Sequence, residues 1–218
     1  PVGSATPTPT TGPTITPTSP PVVTVSGSVR LRPQTADLTQ NVPNPQRYVI
    51  LLDVSGSQNL NFAGQGSNNG QVVQCAPGAP PSQFCGEPQF AWSVVAERRI
   101  YVQKQAALRF IEQLNMPGNS GYNPNLPPDQ LALVAYAENL RETTPASFAA
   151  ATASNPAALQ AAVLAAGAFQ GDPYRVTGGT NWAVGLYAAA QLFDDAPLTS
   201  DLNGTRYSYD DRVIMIVD

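Results

Sequence analysis

The run Arg47-Tyr-Val-Ile-Leu-Leu-Asp53, followed by Val54-Ser55-Gly56-Ser57, decides how the rest of the chain is read. Its centre is an unbroken β-branched and aliphatic stretch, the pattern of a central parallel strand covered on both faces. The strand ends in an acid, and in open α/β sheets ligands bind outside the carboxyl ends of strands. Two hydroxyls then follow at alternate positions. That spacing places Asp53, Ser55 and Ser57 on one side of an extended backbone, and Gly56 lets the loop bend between the hydroxyls.

Outward from this strand, apolar periodicity marks further elements. Ala96–Asn115 reads as a helix in which Ile100, Ala107, Leu108, Ile111 and Leu114 form the buried face, while Arg98, Arg99, Lys104, Arg109 and Glu112 point elsewhere. Pro117-Gly118 stops it. A strand over Gln130–Ala137, an Ala-rich helix over about Pro156–Ala166 and a helix from about Asn181 to Phe193 follow. The last apolar run, Arg212-Val-Ile-Met-Ile-Val-Asp218, is a second buried strand ending in an acid. Strands alternating with helices predict a doubly wound α/β sheet, mainly parallel, flanked by helices.

A third piece is Thr177-Gly-Gly-Thr180-Asn181, where two glycines permit close backbone approach at the start of a helix. Asp53, Ser55, Ser57, Thr180 and Asp218 together offer only hard oxygen donors. Such a set suits Mg²⁺ or Mn²⁺, octahedral at ~2.1 Å with some waters retained, better than Ca²⁺, and does not suit zinc or copper. Taken singly, the same residues have plainer readings: an Asx-turn after a strand for Asp53, and a helix N-cap for Thr180.

In combination, the Asp53-Val-Ser55-Gly-Ser57 loop, the strand Asp129–Tyr136, Gly178-Gly-Thr-Asn-Trp-Ala-Val-Gly-Leu186 and Val213-Ile-Met-Ile-Val-Asp218 resemble a von Willebrand factor type A domain over residues 47–218. The resemblance implies a metal-ion-dependent adhesion site. Ser55 and Ser57 would bind the metal directly, Thr180 directly or through water, and Asp53 and Asp218 through water or directly. One coordination position would be left for an Asp or Glu of a protein partner. Bacterial surface and pilus-associated members look most similar. Two departures stand out. An insertion over about 58–92 separates the metal loop from the first helix, and the family's further strands and helices would lie beyond Asp218, so the domain is expected to be truncated there.

Composition narrows the alternatives. The chain has 218 residues, no His, a single Lys (Lys104) and a net charge of −4. No basic stripe suggests a nucleic-acid partner. The absence of His removes Ser-His-Asp and Cys-His catalysis, and no phosphate-cradling Lys motif is present, so an enzyme is not expected. Metal-assisted hydrolysis would lack a nearby general base. No apolar run approaches the ~20 residues of a spanning helix.

Residues 1–21 hold seven Pro and seven Thr and no charge, the composition of an extended stalk on a surface protein or of an inert linker. Residues 22–46 read as a lead-in, with alternation over Val22–Arg32 suggesting a half-buried strand. Cys75 and Cys85, with nine residues between them in the insertion, are expected to form a disulfide in a secreted context, with two free thiols in a cytosolic protein as the alternative. Asp194, Asp195, Asp201, Asn203, Asp210 and Asp211 read as a solvated acidic loop, since no EF-hand spacing is met. Trp182, next to Thr180, has two readings, a lining of the ligand face and, as the preferred one, packing at the start of the third helix.

The functional expectation is an extracellular or cell-surface domain that captures an acidic residue of a partner through Mg²⁺. The alternative is a structural subunit of a surface filament, pilus or layer, contacting neighbouring subunits, with a non-regulatory metal site.

Overall fold

The computed structural model describes residues 44–74, 87–197 and 199–216. The expected stalk, nearly all of the lead-in, Cys75, Cys85 and Asp218 lie outside the described residues.

The elements run β1 (Gln46–Asp53), β2 (Gln65–Asn68), β3 (Gln71–Gln74), α1 (Arg99–Gln113), β4 (Gln130–Tyr136), β5 (Leu140–Thr144), α2 (Pro156–Ala165), α3 (Trp182–Asp194), β6 (Thr199–Leu202), β7 (Thr205–Ser208) and β8 (Asp210–Ile216). Four strands form a mixed, mostly parallel central sheet in the order β5-β4-β1-β8. β1 runs parallel to both neighbours, with Leu52 opposite Ala135 of β4 and Ile216 of β8, and β5 turns back antiparallel on β4. The protein is thus an α/β fold.

The unbroken apolar run of β1 has the environment its composition asks for. Val49, Ile50, Leu51 and Leu52 are all fully buried. Because successive side chains alternate across a strand, Ile50 and Leu52 pack with Ile100, Ala107 and Ile111 of α1 and Leu159 and Val163 of α2. Val49 and Leu51 pack on the other face with Ala188, Ala189 and Leu192 of α3. Each such aliphatic side chain contributes roughly 1.5–3 kcal/mol by leaving water. Only small residues let α3 lie this close to the sheet. A Cβ on Gly185 would stand 2.8 Å from the Tyr136 ring.

Two expectations change here. Lys104 does not point outward but is fully buried. It lies four residues after Ile100 and three before Ala107, so helical spacing puts it on the apolar face. Its ammonium donates to the carbonyls of Leu164, Ala166 and Pro173 at 2.9, 2.8 and 2.6 Å, tying α1 to the C-terminal end of α2. There the helix carbonyls lack internal partners and favour a cation. Burial pushes this ammonium down to about 8, and burial likewise raises the Glu142 carboxyl that faces it. Arg98 is also buried, donating to the carbonyls of Trp92 and Tyr174.

The second change concerns the segments read as loops. Part of the insertion is the hairpin β2–β3, and the acidic stretch contains the hairpin β6–β7. Both turn on Asn-Gly with positive φ at each residue: 47° and 80° at Asn69-Gly70, 52° and 79° at Asn203-Gly204. That is the pairing a two-residue type I′ turn requires. Asp211, far from being merely solvated, accepts two hydrogen bonds from the buried Arg47 guanidinium at 2.7 and 2.9 Å.

Among the described residues, no helix is long and apolar enough to cross a membrane.

Candidate metal centre

The loop after β1 is extended only as far as Ser55, whose φ and ψ are −74° and 165°. From Gly56 to Asn59 the chain winds into a 3₁₀ turn. The alternation read from the sequence therefore breaks at Gly56, and the turn itself brings the Ser57 hydroxyl back to 3.1 Å from that of Ser55. Ser55 occupies the N-cap position of this turn, yet its side chain makes no capping bond. Instead it accepts a hydrogen bond from the Thr180 hydroxyl at 2.8 Å. Thr180 is likewise not the cap of α3, a position held by Asn181. The hydroxyls of Ser55, Ser57 and Thr180 thus form one connected group drawn from two distant segments.

Asp53 is buried at the strand end, 3% exposed. Its Oδ1 accepts the Ser55 N–H at 2.8 Å, which is the Asx interaction, and its Oδ2 accepts from Gln58 Nε2 at 3.2 Å. Asp218, the fifth expected ligand, is beyond the described part of β8.

A side-chain clamp and a backbone bond join the two segments, and a second backbone bond fixes residues 177–181 to the end of β4. Asn59 is buried and clamps Val176 from both sides, donating Nδ2–H to its carbonyl at 2.7 Å and accepting its N–H on Oδ1 at 2.9 Å. Gly56 N–H donates to the Gly178 carbonyl at 2.8 Å, and Asn181 N–H to that of Ala137 at 2.8 Å. Gly178 has φ 109°, which disfavours any side chain, and a Cβ there would come within 3.3 Å of Ala137 Cβ. The expectation of a close approach at Gly178 is met.

The donor set fits a hard cation. Among the described residues no group of three or more His, Cys, Asp or Glu side chains could hold a metal, so a cation here would depend on hydroxyls beside a carboxylate. Adjacent ligands of an octahedral Mg²⁺ at ~2.1 Å stand about 3 Å apart. The Thr180–Ser55 and Ser55–Ser57 oxygens are separated by 2.8 and 3.1 Å. Ser55 is buried, Ser57 half-buried and Thr180 exposed, so the group runs from the interior to an open face.

That face carries further features, of which the sequence singles out only Trp182. Arg141 Nη2 donates to the Thr177 carbonyl at 3.3 Å, and the exposed Glu138 carboxylate lies alongside Gly179. Trp182 does not pack into the core. It is 58% exposed and stands two residues on from Thr180, at the first position of α3. Gln58 and Gln103, buried behind Asp53, were also missed; nothing in the spacing marks Gln58, whereas Gln103, three residues after Ile100 and four before Ala107, shares the buried face of α1.

Comparison with protein-family models, with curated proteins and with solved structures finds no match for the chain.

Proposed function

We propose that the chain is a doubly wound, von Willebrand factor type A domain that binds Mg²⁺ outside the cell or on its surface, and through it an acidic residue of a protein partner. The observation that carries this reading is the convergence of Ser55, Ser57 and Thr180 hydroxyls, from segments 125 residues apart at their contact, beside the Asp53 carboxylate. Chance hydroxyl clusters do not require a buried Asn clamp and two backbone ties to assemble them. Ser55, Ser57 and Thr180 would hold the cation through their hydroxyls, and Asp53 and Asp218 would balance its charge, directly or through water. When bound, the ion supplies a Lewis-acidic position that a carboxylate can enter. The chain's own part is to keep that position on the exposed side, at Thr180, while Asp53 and Ser55 stay dry beneath it. Opposite charges meeting at a partly desolvated face give specific as well as attractive binding.

The alternative, a structural subunit of a surface assembly, is favoured by the apolar side chains presented around the insertion, Phe62 at 64% and Val72 at 54% exposure. One experiment separates the two. Mg²⁺ is expected to raise the melting temperature by mass action, and Asp53→Ala to abolish the shift. Thr180→Ala and EDTA are expected to weaken attachment, with excess Mg²⁺ reversing the EDTA effect. Attachment or assembly that proceeds unchanged in EDTA and in Thr180→Ala replaces the adhesive reading with the structural one.

A further inference from the structure

Behind the candidate metal centre, two buried amides form a line into helix α1. Gln58 is fully buried and Gln103 is 5% exposed. Gln58 Nε2 donates to Asp53 Oδ2 at 3.2 Å and to Ser57 Oγ at 3.3 Å, while Gln58 Oε1 accepts from Gln103 Nε2 at 2.6 Å. We propose that Gln58 and Gln103 are a positioning relay for the metal centre, in which Gln103 orients Gln58 and Gln58 orients Asp53 and Ser57. The inference rests on the metal-binding reading and adds to it two residues outside the ligand set.

The direction of the relay follows from donor chemistry. An ionised carboxylate only accepts hydrogen bonds, so Gln58 must turn its NH₂ toward Asp53. Its oxygen then faces α1 and needs a donor, which Gln103 supplies. Having turned its NH₂ inward, Gln103 leaves its own Oε1 buried with no hydrogen-bond partner among the described residues. Reversing the Gln103 amide would free that oxygen only by setting it against Gln58 Oε1. A buried unsatisfied acceptor is costly. A pair of apolar residues of similar shape would fill the same space without that cost, so the amides are poorly explained as packing. They are explained if the orientation of Asp53 and Ser57 is what they serve. Outer-shell partners of metal ligands act in this way, and their loss typically lowers metal affinity about 10–100-fold.

The test uses the full chain, Mg²⁺ alone as the probe, and the variants Gln58→Met, Gln103→Met and the double variant, which keep volume and remove the amides. Isothermal titration calorimetry is expected to show each single variant binding Mg²⁺ about tenfold more weakly. The double variant should be no weaker than Gln58→Met, because Gln103 acts only through Gln58. Thermal melting in EDTA is expected to fall in both single variants, because Gln58→Met takes a donor from the buried Asp53 carboxylate and Gln103→Met strands Gln58 Oε1, and to recover in part in the double variant, where no amide is left facing a missing partner. Unchanged Mg²⁺ affinity in Gln58→Met overturns the relay, as do independent, multiplying losses in the double variant. So does a double variant whose Mg²⁺ affinity recovers in step with its EDTA melting temperature, which marks a structural role. Should Gln58→Met fail to fold, Gln103→Met decides alone, and unchanged Mg²⁺ affinity in it overturns the relay. A wild-type chain that takes up no Mg²⁺, or an Asp53→Ala chain that binds as the wild type does, defeats the metal-binding reading itself, and the relay falls with it.

Discussion

Asn59→Ala is the most informative single change outside the ligands. Asn59 is buried and makes two hydrogen bonds to one backbone residue, Val176, itself fully buried. Removing the side chain cannot be compensated by water, so the Val176 N–H and C=O are left unpaired. With roughly 1–3 kcal/mol for each buried group stranded in this way, the change is expected to cost about 3–4 kcal/mol. For a domain of this size that is a fall of about 10 °C in melting temperature. Asn59→Asp should be worse, because it keeps the acceptor for Val176 N–H but sets a carboxylate against the Val176 carbonyl. The effect on the site should exceed the effect on the fold. Val176 leads into Thr177-Gly178-Gly179-Thr180, and without the clamp the Gly56–Gly178 and Ser55–Thr180 contacts lose their register. Urea titration in EDTA measures the first quantity and Mg²⁺ calorimetry the second. A loss of stability below about 1 kcal/mol, the worth of one ordinary net hydrogen bond, would refute the account of the clamp. Unchanged Mg²⁺ uptake would refute its link to the site.

Two further outcomes follow from packing and charge. Gly185→Ala drives a methyl to 2.8 Å from the Tyr136 ring, so α3 must shift or the ring must turn, and destabilisation of about 1–3 kcal/mol is expected by urea titration; a neutral result would show that α3 is loosely seated. The Lys104 ammonium is lowered to about 8 by burial, so between pH 8 and its ordinary range near 10.4 the unfolded chain binds more protons and stability should rise with pH. Three carbonyls favour the charged form, so the slope should fall short of the one-proton value of about 1.4 kcal/mol per pH unit. Above pH 10 the trend should reverse, because burial raises the Tyr48 phenol and the folded state then holds the extra proton. A Lys104→Met chain that still gains stability from pH 8 to 10 would disprove the assignment.

How much of this was legible in the sequence depends on where the information sits. β1, β4, β8 and the three α-helices are marked by apolar runs and periodicity, because each buries a face against the central sheet. The hairpins β2–β3 and β6–β7 bury little and so carry no apolar alternation, as in Gln65-Gly-Ser-Asn68 or Thr205-Arg-Tyr-Ser208. Their signal is the Asn-Gly turn, and it was passed over. Lys104 was read as outward because it is charged, although its spacing from Ile100 and Ala107 already set it on the buried face. The trio Asp53, Ser55 and Ser57 is legible because its members are close in sequence, and Thr180 because glycines announce its loop. Gln58, Asn59 and Gln103 acquire their roles only from partners brought near by folding. Spacing sets Gln103 on the buried face of α1 beside Lys104, but no local pattern tells what any of the three amides bonds to.

The central place of β1 also sets the order in which the molecule can become competent. Its partner β8 pairs Gln46 with Asp210, across most of the folded region, and the Ser55–Thr180 contact spans 125 residues. Closing such large loops costs entropy before any contact rewards it, and topologies dominated by distant pairings fold slowly. The three hydroxyls therefore meet only once the segments that separate them have been arranged. Helices can form and pack early without creating any part of the binding group beyond the loop at 53–57. On the proposed metal-binding reading, cation uptake would report the end of folding, and a half-folded chain would have no site to offer.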